Sequence, residues 1–205
     1  PLTGTPASTG GRYSVITKGA LGGVIACSNS GGHFGAELKN AGWDMVIFEG
    51  RSEKPVYLFI DDDEAQLLDA SEIWGKSVWE TEPAIKSMHQ DPEIKIASIG
   101  VAGEKMVRFA CVVNDLDRAA GRSGVGAVMG SKQLKAIAVK GNKGIGVKDM
   151  AAFLAAAAVS NKRIADDDEA KGLTEDGTMS MMNVTNSYGS LPTRNNRELQ
   201  FDGID

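Results

Sequence analysis

Asn114-Asp-Leu-Asp-Arg-Ala-Ala-Gly-Arg-Ser-Gly-Val-Gly-Ala-Val-Met-Gly130 sets two arginines, Arg118 and Arg122, among four glycines: Gly121, Gly124, Gly126 and Gly130. A strand-like run, Arg108 to Val113, leads into it, and a second apolar run, Leu134 to Val139, leaves it. Glycine lets a backbone turn tightly and approach a ligand with its N–H groups outward. Arginine adds a planar fork of donors that suits phosphate oxygens. The combination implies a cradle for a phosphorylated ligand. The plainer reading is a glycine-rich turn whose arginines pair with Asp115 and Asp117.

The stretch has a counterpart. Gly35 to Gly50 (GAELKNAGWDMVIFEG) lies on Gly126 to Gly141 (GAVMGSKQLKAIAVKG) without a gap. Both open with Gly-Ala, run through a short helix into an apolar strand, and close on a charged residue and glycine. Upstream, Arg12 to Thr17 stands where Arg108 to Val113 stands in the second copy. The pattern predicts a duplication with two phosphate-handling loops, each copy reading strand, glycine-rich loop, short helix, strand.

The chain has 205 residues, 42% hydrophobic and 24% charged, as in ordinary globular proteins. A net charge of −5 argues against a general nucleic-acid binder. Two cysteines, Cys27 and Cys111, each sit in an apolar run and are expected as buried free thiols in a reducing compartment. No Cys/His spacing resembles a metal site. The most apolar helical run, Ala151 to Val159, is too short to span a bilayer. No signal peptide is visible. The chain opens Pro-Leu-Thr-Gly-Thr without methionine and stops at Asp205 without a capping signal, so a piece of a longer polypeptide is expected.

Residues 1 to 11 read as a loop and Tyr13 to Thr17 as a strand. Gly19 to Gly23 reads as a turn, Val24 to Ala26 as a short strand, and Ser28 to Gly32 as a polar loop. Phe34 to Asn40 reads as a helix stopped by Gly42, and Met45 to Glu49 as a strand. Pro55 to Ile60 and Ala65 to Leu68 form a predicted hairpin turned by Asp61 to Asp63. That triplet lacks the glycine and distal glutamate of a calcium loop. Ser77 or Thr81 caps a predicted helix reaching a solvated His89, and Trp74 and Trp79 are expected to pack in the core. His33, beside Gly32, is a minor site candidate. Ile94 to Ile99 is a strand and Gly100 to Gly103 a turn. After a linker at 142–146, Lys148 to Asp166 is an alanine-rich helix with Asp166 to Glu169 as its solvated end. Thr178 to Asn186 is a further helix, before an extended tail.

Several motifs stand in a particular order: Pro1-Leu-Thr-Gly-Thr, Gly10-Gly-Arg-Tyr13, Ser28-Asn-Ser-Gly-Gly32, Phe34-Gly-Ala-Glu-Leu-Lys39, Glu53-Lys-Pro-Val-Tyr57, Ala97-Ser-Ile-Gly100, Asp117-Arg-Ala-Ala-Gly-Arg122 and Gly126 to Lys132. In this order they resemble the N-terminal domain of the aldehyde ferredoxin oxidoreductase family of tungsten enzymes, over residues 1–141. Residues 142–205, including Gly189 to Thr193, resemble the start of the family's helical second domain more loosely. The resemblance implies an α+β fold, with two β-sheets and short helices built from two intertwined repeats.

It further implies a base for a tungsten bis-pterin cofactor whose phosphates are linked by magnesium. Arg12 matches the arginine between pterin and iron–sulfur cluster. Asn29 and Ala119 match positions whose backbone carbonyls bind the magnesium. Gly31, Arg118 and Gly121 match pterin-contacting positions, and charge and proximity add Gly32 and Arg122. Carbonyl ligands suit magnesium, a hard cation. The [4Fe-4S] ligands and the acid–base groups of aldehyde oxidation would lie beyond Asp205, and the family's first segment before Pro1. Cys27 departs from the usual residue at its position.

The implied partners are ferredoxin or another electron-transfer protein and the remaining domains of the same polypeptide. No nucleic acid or membrane is implied; a homo-oligomer stays open, and the expected location is cytoplasmic. The competing reading is a stand-alone nucleotide- or dinucleotide-binding module. Against it, Gly124-x-Gly126-x-x-x-Gly130 is not the dinucleotide fingerprint.

Overall fold

A computed structural model describes residues 2–8 and 10–203. Pro1 and Thr9, within the expected N-terminal loop, lie outside the described residues, as do Ile204 and Asp205. The chain divides into two compact units, Pro1–Lys148 and Asp149–Asp205.

The first unit begins with an antiparallel hairpin, β1 (Tyr13–Lys18) and β2 (Ile25–Ser30), in register Tyr13 opposite Ser30 and Lys18 opposite Ile25. The expected short strand at Val24 to Ala26 is therefore longer, and Ser28 to Ser30 belong to it rather than to a loop. Strand period explains this: Ala26, Ser28 and Ser30 are buried while Cys27 and Asn29 are exposed. Two serines on the inner face hide the amphipathic pattern from a hydrophobicity reading. Cys27 is exposed and Cys111 half-buried, which corrects the expectation of two buried thiols.

Helix α1 (Phe34–Asn40) follows, and Gly42 takes φ +96° after its C-cap, the left-handed turn expected of a helix stop. The strand expected at Met45 to Glu49 is absent: the segment forms no regular element and, among the described residues, pairs with no strand. It borders an apolar groove of about 540 Å3 beside β1 and α1. The expected hairpin is present as β3 (Val56–Asp61) and β4 (Glu64–Asp69), turned at Asp62 with φ +49°.

Helix α2 (Val78–Met88) starts with a capping box in which Ser77 accepts from the Glu80 backbone and Glu80 reaches back. It buries Val78, Thr81, Glu82 and Ile85 along one stripe, which leaves Trp79 65% exposed rather than in the core. His89 is not freely solvated. Its ring stacks on Phe59 with centroids 3.8 Å apart, and Nε2 lies 2.9 Å from the Tyr57 hydroxyl. Burial pushes its pKa below the ordinary value, partly offset by Asp61 and Asp91.

Strand β5 (Lys95–Ser98) leads into a short helix, α3 (Val101–Glu104), where only a turn was expected. The expected strand at Arg108 to Val113 narrows to β6 (Val112–Asn114), which hairpins through Asp115 to Asp117 into β7 (Arg118–Ala120). Helix α4 (Val125–Ser131) and strand β8 (Leu134–Lys140) complete the unit.

The larger sheet has the order β4-β3-β8-β5-β6-β7, with β8 parallel to β3 and antiparallel to β5. Being central, β8 is covered on both faces. Phe34, Val125, Met129 and Val139 share one core cluster, and Ile85, Ile94, Ala136 and Ala138 another. Two sheets and short helices make this the α+β fold expected. The duplication is visible in it: a hairpin, a glycine-bearing loop and a seven-residue helix occur twice, as β1-β2-α1 and β6-β7-α4.

In the second unit, α5 (Met150–Asp166) is capped by Asp149, whose side chain accepts from the Ala152 N–H. Asp167 does not fray with its acidic neighbours. It turns extended and caps α6 (Asp168–Asp176) by accepting from Ala170. Gly177, at φ +62°, ends α6, so the helix expected from Thr178 begins as a 3-10 turn, Gly177–Met181, before α7 (Met182–Ser187). A single bridge joins Thr193 and Glu198 in the tail.

Candidate functional site

The β1–β2 hairpin presents one packed face and one open face. Tyr13, Val15, Ser28 and Ser30 turn toward the unit, while Arg12, Ser14, Asn29 and Cys27 are exposed. Beyond the end of β2, Gly31 and Gly32 lead into α1. From the second copy, β7 and the following loop bring Arg118, Ala119, Gly121 and Arg122, all exposed.

These two loops are joined by hydrogen bonds. The Arg122 N–H donates to Ser28 Oγ at 3.1 Å. The Asn114 side-chain amide donates to the Gly31 carbonyl at 2.9 Å, and the His33 N–H donates to Asp115 Oδ2 at 2.6 Å. Gly32 has φ +85°, and a Cβ there would stand 2.1 Å from Asp115 Oδ2 and 3.1 Å from Arg118 Cγ. So the structure gathers Asn29, Gly31, Gly32, Arg118, Ala119, Gly121 and Arg122 around one seam between the copies. Arg12 joins through its neighbour: a Cβ on Gly11 would lie 3.4 Å from the Gly32 carbonyl. Of these eight residues, only Arg12 also lines the apolar groove beside β1. His33 contributes its backbone N–H and precedes α1 without a side-chain cap.

The glycines separate into two kinds. Gly124, Gly126 and Gly130 are demanded by the protein itself. A Cβ would stand 2.0 Å from the Arg108 carbonyl, 2.3 Å from that of Cys111 and 1.9 Å from that of Gly103. They serve close helix packing and are unavailable to cradle a dinucleotide, which removes the main support for that reading. Gly31 and Gly121 are different. A Cβ on Gly31 would meet nothing within 4 Å, one on Gly121 only the Ala119 carbonyl at 4.0 Å, and neither has a left-handed φ. Nothing in the chain requires them to lack a side chain. Open space above them suits the close approach of a ligand to the backbone.

The arginines are available. Arg118 Nε is 3.9 Å from Asp117 Oδ1, and both side chains are more than half exposed, so the pair is loose. Below the seam the environment reverses. Asn114 is fully buried, and the Tyr13 hydroxyl donates to its Oδ1 at 3.0 Å. Burial pushes the Tyr13 phenol well above its ordinary pKa, with the Asp115 carboxylate adding to the shift and a hydrogen bond with Ser30 opposing it. Among the described residues, no three His, Cys, Asp or Glu side chains gather as a metal site. A cation here would depend on backbone carbonyls and on the ligand's own oxygens. No helix among them is long and apolar enough to cross a membrane.

The sequence reading did not single out Asn114 as a residue shaping this site. A polar residue closing an apolar strand beside the glycine stretch was the available signal for Asn114.

The N-terminal domain of aldehyde ferredoxin oxidoreductase matches residues 1–141 as a family. The chain belongs to the aldehyde ferredoxin oxidoreductase family. It is 54% identical over 196 residues to the tungsten-containing aldehyde ferredoxin oxidoreductase of Pyrococcus abyssi, covering 95% of this chain and 32% of that protein. The Thermococcus kodakarensis enzyme of the same name is 53% identical with the same coverage. The WOR-like subunit of an aliphatic sulfonate oxidoreductase from Pyrococcus furiosus is 37% identical over 154 residues, covering 69% of this chain and 24% of that one. Among solved structures, the BamBC active-site complex of benzoyl coenzyme A reductase, bound to 1,5-dienoyl-CoA, superposes with a TM-score of 0.79 at 38% identity. That match covers 82% of this chain and 26% of that one. The chain thus spans about a third of the length of the aldehyde ferredoxin oxidoreductases it matches.

Proposed function

We propose that this chain is the pterin-binding part of a tungsten oxidoreductase that oxidises aldehydes to carboxylic acids. Residues 1–141 are the tungstopterin-binding domain and 142–205 the beginning of a helical one. A [4Fe-4S] cluster, held by residues outside this chain, would supply the electron relay to ferredoxin or a similar carrier. Family membership supports the chemistry. The observation that carries the location is the open space above Gly31 and Gly121, flanked by the loosely paired Arg118 and the exposed Arg122.

When bound, the tungsten bis-pterin supplies the redox centre. This chain's residues hold it. Arg118 and Arg122 present donors to phosphate oxygens, where charge-assisted bonds are strongest. Gly31 and Gly121 would admit the pterin against the backbone, and Gly32 turns the loop beside them. The carbonyls of Asn29 and Ala119 would hold a magnesium ion, whose charge would offset phosphate repulsion. Arg12, exposed at the start of the β1–β2 hairpin, would stand between the pterin and the cluster.

The test is metal and pterin content in the full-length protein, grown with tungstate, for wild type and Arg118→Ala. A charge-assisted hydrogen bond contributes about 1.5–3 kcal/mol, so retention should fall roughly ten- to a hundredfold. Tungsten and pterin should fall together, with an unchanged circular dichroism spectrum and a smaller loss in Arg118→Lys. Full cofactor content in folded Arg118→Ala would refute the reading, since an exposed pair with Asp117 has no bearing on cofactor.

A further inference from the structure

Asn114 ends β6 at the turn that leads to Arg118, and its side chain is 0% exposed. It has no access to a ligand on the open face. Its amide nevertheless reaches both copies of the repeat. Oδ1 accepts from the Tyr13 hydroxyl at 3.0 Å and from Ser30 Oγ at 2.7 Å. Nδ2 donates to the Gly31 carbonyl at 2.9 Å and to Asp115 Oδ2 at 2.8 Å. Asp115 Oδ2 also accepts the His33 N–H. All four bonding positions of one amide are filled, by β1, β2, the Gly31 loop and the β6–β7 turn.

We propose that Asn114 is the positioning residue of the cofactor site. It acts as a buried clamp fixing the Gly31–Gly32 loop of the first copy against the Arg118–Ala119 strand of the second. This rests on the tungstopterin reading above. Three features carry it. The clamp bonds the carbonyl of Gly31, one of the two glycines over open space. Asp115, the clamp's second acceptor, adjoins Gly32 so closely that no Cβ fits between them. Two other cross-copy hydrogen bonds are described at this seam: His33 N–H to Asp115 Oδ2 at 2.6 Å, which runs through Asn114's own partner, and Arg122 N–H to Ser28 Oγ, a neutral one at 3.1 Å. A buried amide is also selective here: no other side chain of its size offers two donors and an acceptor that takes two bonds. Aspartate keeps the shape and Oδ1 but turns a donor into an acceptor, opposing Gly31 O and the Asp115 carboxylate.

The experiment uses the full-length protein grown with tungstate and compares Asn114→Asp, Tyr13→Phe and Arg118→Ala. Tyr13→Phe removes one bond to Oδ1 but leaves both loop bonds intact. It controls for mere loss of stability. The readouts are tungsten and pterin per chain, thermal midpoint and circular dichroism. The expected result is at least a tenfold cofactor loss in Asn114→Asp. Tyr13→Phe should stay within twofold of wild type even where its midpoint falls as far. Cofactor loss that tracks the midpoint equally in both variants overturns the proposal, leaving Asn114 a structural residue only. Full content in Asn114→Asp with depletion in Arg118→Ala overturns it while sparing the site assignment. Full content in both removes the site assignment as well. If Asn114→Asp does not fold, Asp115→Asn is the second variant. It keeps an oxygen for both donors without the charge, and at least a threefold loss is expected; unchanged content would overturn the proposal.

Discussion

The two copies of the repeat share local architecture and differ in what surrounds them. Phe34–Asn40 and Val125–Ser131 coincide as helices when Gly35 to Gly50 is laid on Gly126 to Gly141. The following apolar runs then coincide too, yet only the second is a strand. β8 has β3 on one side and β5 on the other and is buried on both faces, whereas Met45 to Glu49 forms no regular element and, among the described residues, pairs with no strand, with Met45 and Ile47 about 70% exposed. A strand is completed by its neighbours, not by its own residues. The same divergence appears at single positions. Lys135 stands where Asp44 stands, and Gly130 where Lys39 does.

Lys135 offers the widest separation. Its side chain is 0% exposed, paired with buried Glu104, and its Nζ donates to the Lys76 carbonyl at 2.7 Å. Burial pushes its pKa down, and Glu104 opposes that shift. Asp44 pairs with Lys39 but is 85% exposed. Lys135→Ala strands a buried carboxylate and should cost about 3–5 kcal/mol in denaturant unfolding. Asp44→Ala should cost less than about 1 kcal/mol. Equal losses would mean that the copies are buried alike in solution.

Lys135 also marks where the sequence stops being legible. A lysine in an apolar run reads as an edge or a surface position, and nothing local announces Glu104, 31 residues away. Elements with their signals in one window were readable. These include α1 and its Gly42 stop, the Asp62 hairpin, the Ser77 cap and β8. β2 and β7 were not, because serines, an asparagine and an arginine fill strands that are held by pairing. The arginines and glycines of the candidate site were picked out by charge, spacing and resemblance. The buried amide beneath them was not, since its partners Tyr13 and Ser30 lie in the other copy.

A smaller contrast lies in helix packing. A Cβ on Gly130 would stand 1.9 Å from the Gly103 carbonyl, whereas one on Gly35 would meet the Tyr13 Cβ at 3.1 Å. Gly130→Ala must separate α3 from α4 and should cost about 3 kcal/mol. For Gly35→Ala, the gain in helix propensity offsets part of a mild clash, and the net should stay within about 1 kcal/mol. Thermal or urea unfolding of both variants checks this. A Gly130→Ala protein as stable as Gly35→Ala would show that α3 and α4 are not in close contact.

The smallest effect concerns the loops themselves. Gly32 and Ser123 occupy matching places before the two helices, and both are left-handed, with φ +85° and +65°. At Gly32 the conformation and the crowding by Asp115 both require glycine. At Ser123 only the conformation favours glycine, since the residue is exposed. A non-glycine residue in that region costs about 1–2 kcal/mol, and glycine loses about 0.5–1 kcal/mol more chain entropy on folding than alanine. Ser123→Gly should therefore stabilise the protein by about 0.5–1 kcal/mol, read as a raised urea midpoint at unchanged slope. The converse change, Gly32→Ser, should destabilise and should also deplete cofactor in the full-length protein, because it pushes Asp115 away from the clamp. A destabilised Ser123→Gly would mean that the serine hydroxyl holds this loop, and that the second copy, like the first, fixes its loop through a side chain.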